Sequence, residues 1–324
     1  MNGLKIIKKL AAGAVALAVT STVALSANIA VVGGSNDDAF WNKIKKGIDD
    51  ARPAVEANGG TVNYLRLVNY DNFAPDVVQL IRTAISQKVD GLVIPNWVPE
   101  AEDPAIKDAM AAGIKVILMN AGGADKAREL GAINYVGNEE YPAGLAGGDY
   151  FAAHGQKNVI CVNTIPGAAN LEARCKGVSD SMTKAGLKST QLPLPSTSFG
   201  NATAVAEAIK AELLKDETID GVITISAGDA DSAAIGISQA GKTATASLAS
   251  FDMNEAGLTR IKEGTQSFAI DQQPYLQGYL AVSLLASHID FGTNLPTFPV
   301  LTGPGIVDKS NIEATLAGVQ KGAR

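Results

Sequence analysis

The residues of this 324-residue chain best suited to chemistry are amides and carboxylates with aromatic rings beside them, placed just beyond short apolar runs. Asp38 follows Ile29-Ala30-Val31-Val32 and is itself followed by Phe40 and Trp41. Asn96 and Trp97 come after Leu92-Val93-Ile94-Pro95, and Asn120 after Val116-Ile117-Leu118-Met119. Further along, Phe199, Asp229, Asp252 and Gln272 hold equivalent positions. Asn, Asp and Gln supply donors and acceptors that match vicinal hydroxyls, the charged acceptors making the stronger bonds. An aromatic ring covers the apolar C–H face of a sugar at small entropic cost. Each residue taken singly also has a plainer use. Asn or Asp after a strand caps a helix, and Phe40 or Trp41 serves equally as the first core residue of one. The set as a whole points to recognition of a small, hydroxyl-rich molecule.

Catalytic signatures do not compete with that reading. Gly33-Gly34 lacks the G-x-G-x-x-G spacing of a dinucleotide site, and neither a Walker A loop nor a G-x-S-x-G elbow occurs. The two histidines, His154 and His288, stand apart, which leaves a Ser-His-Asp triad or a zinc site without its parts. Adjacent Asp37 and Asp38 suit turn and capping needs better than paired acid–base work. No catalytic residue, metal ligand or cofactor is expected.

The positioning elements alternate. Strands are expected at 28–33, 61–68, 91–95, 115–120, 133–137, 158–164, 190–195, 221–226, 245–251 and 266–271. Helices are expected at 39–57, 74–88, 102–112, 141–155, 169–186, 201–215, 229–241, 254–263, 275–291 and 310–321. Runs such as Gly91-Leu92-Val93-Ile94 are apolar throughout, as strands covered on both faces require. So many βα units exceed one comfortable sheet, and the expectation is an α/β chain of two doubly wound parallel-sheet lobes. In such sheets, ligands sit beyond the carboxyl ends of the strands, where the polar residues collect. Residues 292–309 break the rhythm.

The first 27 residues differ from the rest. Lys5, Lys8 and Lys9 precede an uncharged apolar run from Leu10 to Val19, and small residues lead to Ala27. This is the layout of a secretory signal peptide, its run too short for ~30 Å of hydrocarbon. Without those lysines, 24 basic and 33 acidic side chains remain, a net charge of −9 that repels nucleic-acid phosphates. Cys161 and Cys175 lie in one strand–loop–helix unit and are close enough in sequence to bridge in an oxidising compartment; two buried thiols are the alternative.

Together these residues resemble the periplasmic sugar-binding proteins of the ribose and galactose type, with the class I periplasmic binding protein fold, over about 28–324. The opening strand with Asp38, Phe40 and Trp41 is similar to that family's first strand and aromatic loop. Ser250-Phe251-Asp252 is similar to its G-F-D motif, and Ala269-Ile270-Asp271-Gln272-Gln273-Pro274 to its crossover segment with a binding glutamine. The resemblance makes Arg174, in Glu172-Ala173-Arg174-Cys175, the arginine that contacts sugar hydroxyls, and Phe199 an aromatic near the pocket. It implies a three-stranded hinge, with one lobe from 28–135 plus 274–298 and the other from 138–271 plus 305–324. It implies a periplasmic monomer that closes on a monosaccharide or polyol and delivers it to the permease subunits of an ABC importer. Two departures bear on the ligand. The fourth strand ends in Asn120-Ala121 where the family often has Asp-Arg, and Gly34 replaces the polar residue of ribose binders. A chemotaxis or signalling receptor and a secreted carbohydrate-active enzyme are the alternative readings; a sugar-responsive repressor would need a DNA-binding region where the leader stands.

Overall fold

The computed structural model describes residues 26–295 and 297–324, so the expected leader lies, up to Leu25, outside the described residues. The chain begins as β1 (Asn28–Gly33), α1 (Ala39–Ala57), β2 (Thr61–Arg66), α2 (Phe73–Ser86), β3 (Gly91–Ile94), α3 (Pro99–Ala111), β4 (Lys115–Met119), α4 (Gly123–Leu130) and β5 (Asn134–Gly137). A second run follows: α5 (Glu140–Ala153), β6 (Asn158–Asn163), α6 (Ala169–Lys184), β7 (Lys188–Pro193), α7 (Ala202–Lys215), β8 (Gly221–Thr224), α8 (Ala227–Gln239), β9 (Ser247–Phe251), α9 (Glu255–Glu263) and β10 (Phe268–Asp271). The chain ends with α10 (Pro274–Phe291), β11 (Val300–Leu301), β12 (Gly305–Asp308) and α11 (Ile312–Gln320).

Two six-stranded sheets result, ordered β2-β1-β3-β4-β5-β11 and β7-β6-β8-β9-β10-β12. Every pairing is parallel except β12 on β10. Strands β3, β5, β6, β8 and β10 are buried at every residue, the signature of sheets covered by helices on both faces. The helices supply the cover by apolar stripes. In α1 the buried positions are Trp41, Ile44, Gly47, Ile48, Ala51 and Val55, and in α2 they are Val77, Ile81 and Ala84, three and four apart.

The chain changes sheet three times, between β5 and β6, between β10 and β11, and between β11 and β12. In the first change α5 packs on α6 of the second lobe; in the next α10 returns to lie on α1 and against β3, β4 and β5. The expected two-lobed α/β architecture is the one found. Three elements were not expected. Helix α4 is only eight residues long and starts at the second of two paired glycines, too short for a helical stripe to stand out. Strands β11 and β12 have two and four residues and take their places from partners, not from apolar runs. Strand β7 begins two residues before its expected start, because an edge strand of mixed exposure carries no continuous apolar signal.

Candidate functional site

The site starts from a close helix contact. A side-chain carbon on Gly144 of α5 would lie 2.2 Å from the Arg174 carbonyl oxygen, and one on Gly177 of α6 2.3 Å from the Tyr141 oxygen. Only glycine permits this approach, and it brings Glu140, at the first turn of α5, onto Arg174. Arg174 is 2% exposed. Its Nε and Nη2 donate to Glu140 Oε2 and Oε1 at 2.7 and 3.0 Å, and Nη1 donates to the Ile225 carbonyl at 2.8 Å. The guanidinium carbon sits 4.6 Å from the Phe251 ring centroid. A guanidinium has five N–H donors. Glu140 and Ile225 take three, which leaves two for a guest. Glu140 was not foreseen.

A second group of side chains gathers at the ends of β4, β9 and β10. Asn120, Asp252 and Gln273 all adopt left-handed backbone, with φ of 66°, 64° and 51°, a conformation that clusters where tertiary structure over-determines a functional site. Gln272 Nε2 donates to Asp252 Oδ1 at 2.7 Å. That fixes the Gln272 amide, whose Oε1 accepts from Asn120 Nδ2 at 3.2 Å and from Gln277 Nε2 at 3.2 Å. Thr302 Oγ1 donates to the Gln272 carbonyl at 2.7 Å. The network joins residues of both sheets at the crossings. Burial pushes the Asp252 carboxyl up, with the Arg174 charge opposing.

Asp38 caps α1 by accepting from the Phe40 N–H at 3.0 Å, and the Tyr70 hydroxyl donates to its other oxygen at 2.8 Å. Enclosure of this carboxyl pushes its pKa up to about 6, against those two hydrogen bonds. Rings continue the wall. Trp41 meets Phe40 and Trp97 edge-on at 5.4 and 5.3 Å, and Tyr70 meets Phe199 of the other lobe at 5.0 Å. Gly34 is explained here, since a side chain on it would stand 2.2 Å from Trp41 Nε1 and 2.4 Å from Tyr70 Oη.

These groups face one inner cavity of about 50 Å³. Of the expected residues, Asp38, Phe40, Trp41, Trp97 and Asn120 line it from the first lobe. Arg174, Phe199, Asp252 and Gln272 line it from the second lobe and the crossing. Tyr70, Phe73, Asn170 and Ser226 were not expected to. Tyr70 and Phe73 stand four and seven residues beyond the end of β2, the same kind of position that Asp38, Phe40 and Trp41 hold after β1. Asp229 belongs instead to an adjoining outer cavity of about 330 Å³, which shares Asp38, Phe40, Phe199 and Asp252 with the inner one. Its carboxyl accepts from Thr164 and Ser226, at 2.8 and 2.9 Å, and burial raises it to about 6.

Asn96 does not line the inner cavity. Its Nδ2 donates to Asp103 at 3.0 Å, beside the buried Glu102 that accepts the Trp97 and Val98 N–H groups at 2.8 and 3.0 Å. Asn96 therefore serves the loop that leads into α3. Cys161 and Cys175 are bridged, with Cα atoms 5.5 Å apart, tying β6 to the turn of α6 that carries Arg174.

The lobes touch across the cleft. Ala169 N donates to the Trp97 carbonyl at 2.8 Å, and Lys43 Nζ to the Met253 carbonyl at 2.5 Å. This is a shut arrangement, with the inner and outer cavities lying between the lobes. Glu140 balances Arg174, and the guanidinium, carboxylates and amides set beside the rings match a guest with many hydroxyls.

The model of the periplasmic binding protein domain matches residues 29–294. A xylose/arabinose-binding protein of Sulfolobus acidocaldarius, XylF, is 24% identical over 292 residues, 86% of this chain and 70% of that one. A carbohydrate transporter of Acidothermus cellulolyticus, solved in complex with myo-inositol, is 36% identical with a TM-score of 0.83, covering 93% of this chain and 100% of that one. GanP, a glucose-galactose binding protein from Geobacillus stearothermophilus, shares the fold at 22% identity and a TM-score of 0.76, over 89% of this chain and 99% of its own. With that match spanning both sheets and the cleft between them, the chain belongs to the periplasmic binding protein domain family.

Proposed function

We propose that the mature chain is the substrate-binding component of an ABC importer and captures a monosaccharide or cyclic polyol between its lobes. The observation that carries this reading is the inner cavity, where Arg174 and Asp252 of one lobe face Asp38, Asn120 and the Trp41–Trp97 rings of the other. Arg174 donates its two spare N–H groups to hydroxyls, while Asp38 and Asp252 accept from hydroxyls. Phe40 and Phe199 cover the C–H faces, and Gln272 senses both lobes from the crossing. Contacts to both lobes favour the shut arrangement, moving an existing open–shut equilibrium by their differential binding energy. The lobes divide as 28–135 plus 274–298 and 138–271 plus 305–324, and the chain acts as a periplasmic monomer once its leader is removed. The 36% identity to a protein solved with myo-inositol supports that polyol as the first guest to try.

Titration calorimetry of the mature protein with myo-inositol and a panel of monosaccharides tests the reading. One guest should bind at one site. Arg174→Ala and Asp252→Ala should each weaken it by ~2 kcal/mol or more, the cost of losing a buried charge-assisted hydrogen bond. Heat from no sugar or polyol, or unchanged affinity in both variants, contradicts it.

A further inference from the structure

The outer cavity, about 330 Å³, adjoins the inner one through Asp38, Phe40, Phe199, Ser226 and Asp252, which line both. A guest seated on Arg174 and Gln272 reaches it past those residues. Its wall is acidic from both lobes, with Asp38 on the first and Asp229 and Asp252 on the second.

Asp229 is 4% and Asp252 8% exposed, yet each keeps one oxygen without a hydrogen-bond partner. On Asp229, both Thr164 and Ser226 donate to Oδ2, and Oδ1 receives nothing. On Asp252, Gln272 donates to Oδ1, and Oδ2 receives nothing. Neither free oxygen belongs to the sealed, partnerless side-chain atoms of the described residues, so both present surface to the cavity that their residues line.

Little cancels these charges. Asp231, on the same wall, is paired with Arg260 at 2.7 Å, and Arg174 of the inner cavity is paired with Glu140. Lys43 is the one cation lining the outer cavity among the described residues, and its Nζ already donates to the Met253 carbonyl. Burial pushes the Asp38 and Asp229 carboxyls up to about 6; the charge of Asp252 adds to the first shift and that of Asp38 to the second. Carboxylates of opposite lobes therefore work against each other in the shut arrangement. A positive group between them relieves that repulsion and makes charge-assisted hydrogen bonds. A metal ion does not meet the need, since no three Asp, Glu, His or Cys among the described residues are placed to hold one. An ammonium group on the guest does, bringing three N–H donors with it.

We propose that the guest carries a protonated amine, as an amino sugar or an aminated cyclitol does, and that Asp229 Oδ1 accepts from it in the outer cavity. Asp38 and Asp252 add their charge from the passage between the cavities. This names the guest class for the proposed function and rests on that reading.

Titration calorimetry of the mature full chain near neutral pH tests it with three sets of guests. The first is myo-inositol, glucose and galactose. The second is their amino-deoxy counterparts, with the amine at different ring positions. The third is the N-acetylated forms of the second, which keep the nitrogen and lose its charge. At least one amine should bind about tenfold tighter than both its hydroxyl parent and its acetylated form, the worth of one hydrogen bond to a charged group. Asp229→Asn, whose amide oxygen still accepts from Thr164 and Ser226, should cut that amine-to-parent ratio several-fold. Asp125→Asn, which removes a fully exposed charge outside both cavities, should leave the ratio as it is. A crystal structure with the tightest amine should place its nitrogen within hydrogen-bond distance of Asp229. No amine preferred over its parent, a ratio that Asp229→Asn leaves unchanged, or a nitrogen seated away from Asp229 overturns the inference, while capture of a neutral guest still stands. If none of the three sets binds, the capture reading itself fails and this inference falls with it.

Discussion

Asp38 meets two demands that pull against each other. It caps α1 and presents a charged acceptor to the cavity, yet enclosure raises its pKa to about 6. A raised folded-state value means the folded protein holds its proton more tightly than the unfolded chain. The resulting stability is present below the ordinary value of 3.8 and is lost as pH climbs through about 6. Asp38→Asn keeps an acceptor for Phe40 and a partner for Tyr70 without the buried charge. Scanning calorimetry should find this variant more heat-stable than the parent near neutral pH, with the gain fading towards about pH 4. Its affinity for the guest should fall, since a neutral acceptor is weaker. Lower stability near neutral pH would show that the carboxylate is no burden. At this scale the sequence was informative wherever position implied role. Asp38, Phe40, Trp41, Asp252 and Gln272 each stand at or just beyond a strand end, and strand ends face the cleft. Glu140 also stands just beyond a strand end, that of β5, but its position there does not reveal that it meets Arg174 across 34 positions through a helix contact. Asn96 misled for the opposite reason. It stands at a strand end, but Asp103 seven residues on claims its amide.

Elements carry the site through their contacts. The α5–α6 approach depends on the absence of side chains at Gly144 and Gly177. Gly177→Ala places a methyl against the Tyr141 carbonyl and must part the helices, loosening the Glu140–Arg174 pair. Both melting temperature and ligand affinity should drop. A variant that melts lower yet binds normally would separate the helix contact from the arginine's placement. The disulfide holds the same helix from the other side. Replacing Cys161 and Cys175 together by Ala should cost about 3 kcal/mol for a loop of this length. Denaturant unfolding of parent and variant checks this, and no loss would mean the bridge adds nothing to packing already in place. The long amphipathic helices and buried strands were legible from apolar spacing. Helix α4 and strands β11 and β12 were not, because short elements take their conformation from neighbours more than from their own sequence.

On the scale of the molecule, the repeating βα rhythm made two sheets legible, and its break after α10 coincides with β11 and β12 joining different sheets. What spacing did not encode is how the lobes meet. The contacts of Trp97 with Ala169, Lys43 with Met253 and Tyr70 with Phe199 hold them shut. All join residues distant in sequence, and a single hydrogen bond or ring pair of this kind contributes only about 0.5–1.5 kcal/mol. The account therefore requires an open form that the guest closes. Small-angle scattering of the mature protein, titrated with myo-inositol and then with the best ligand from calorimetry, tests this most directly. The radius of gyration should shrink saturably, and the bound curve should match that calculated for the shut structure. Curves that stay the same at saturating ligand, with calorimetry reporting binding, would contradict closure as the mechanism.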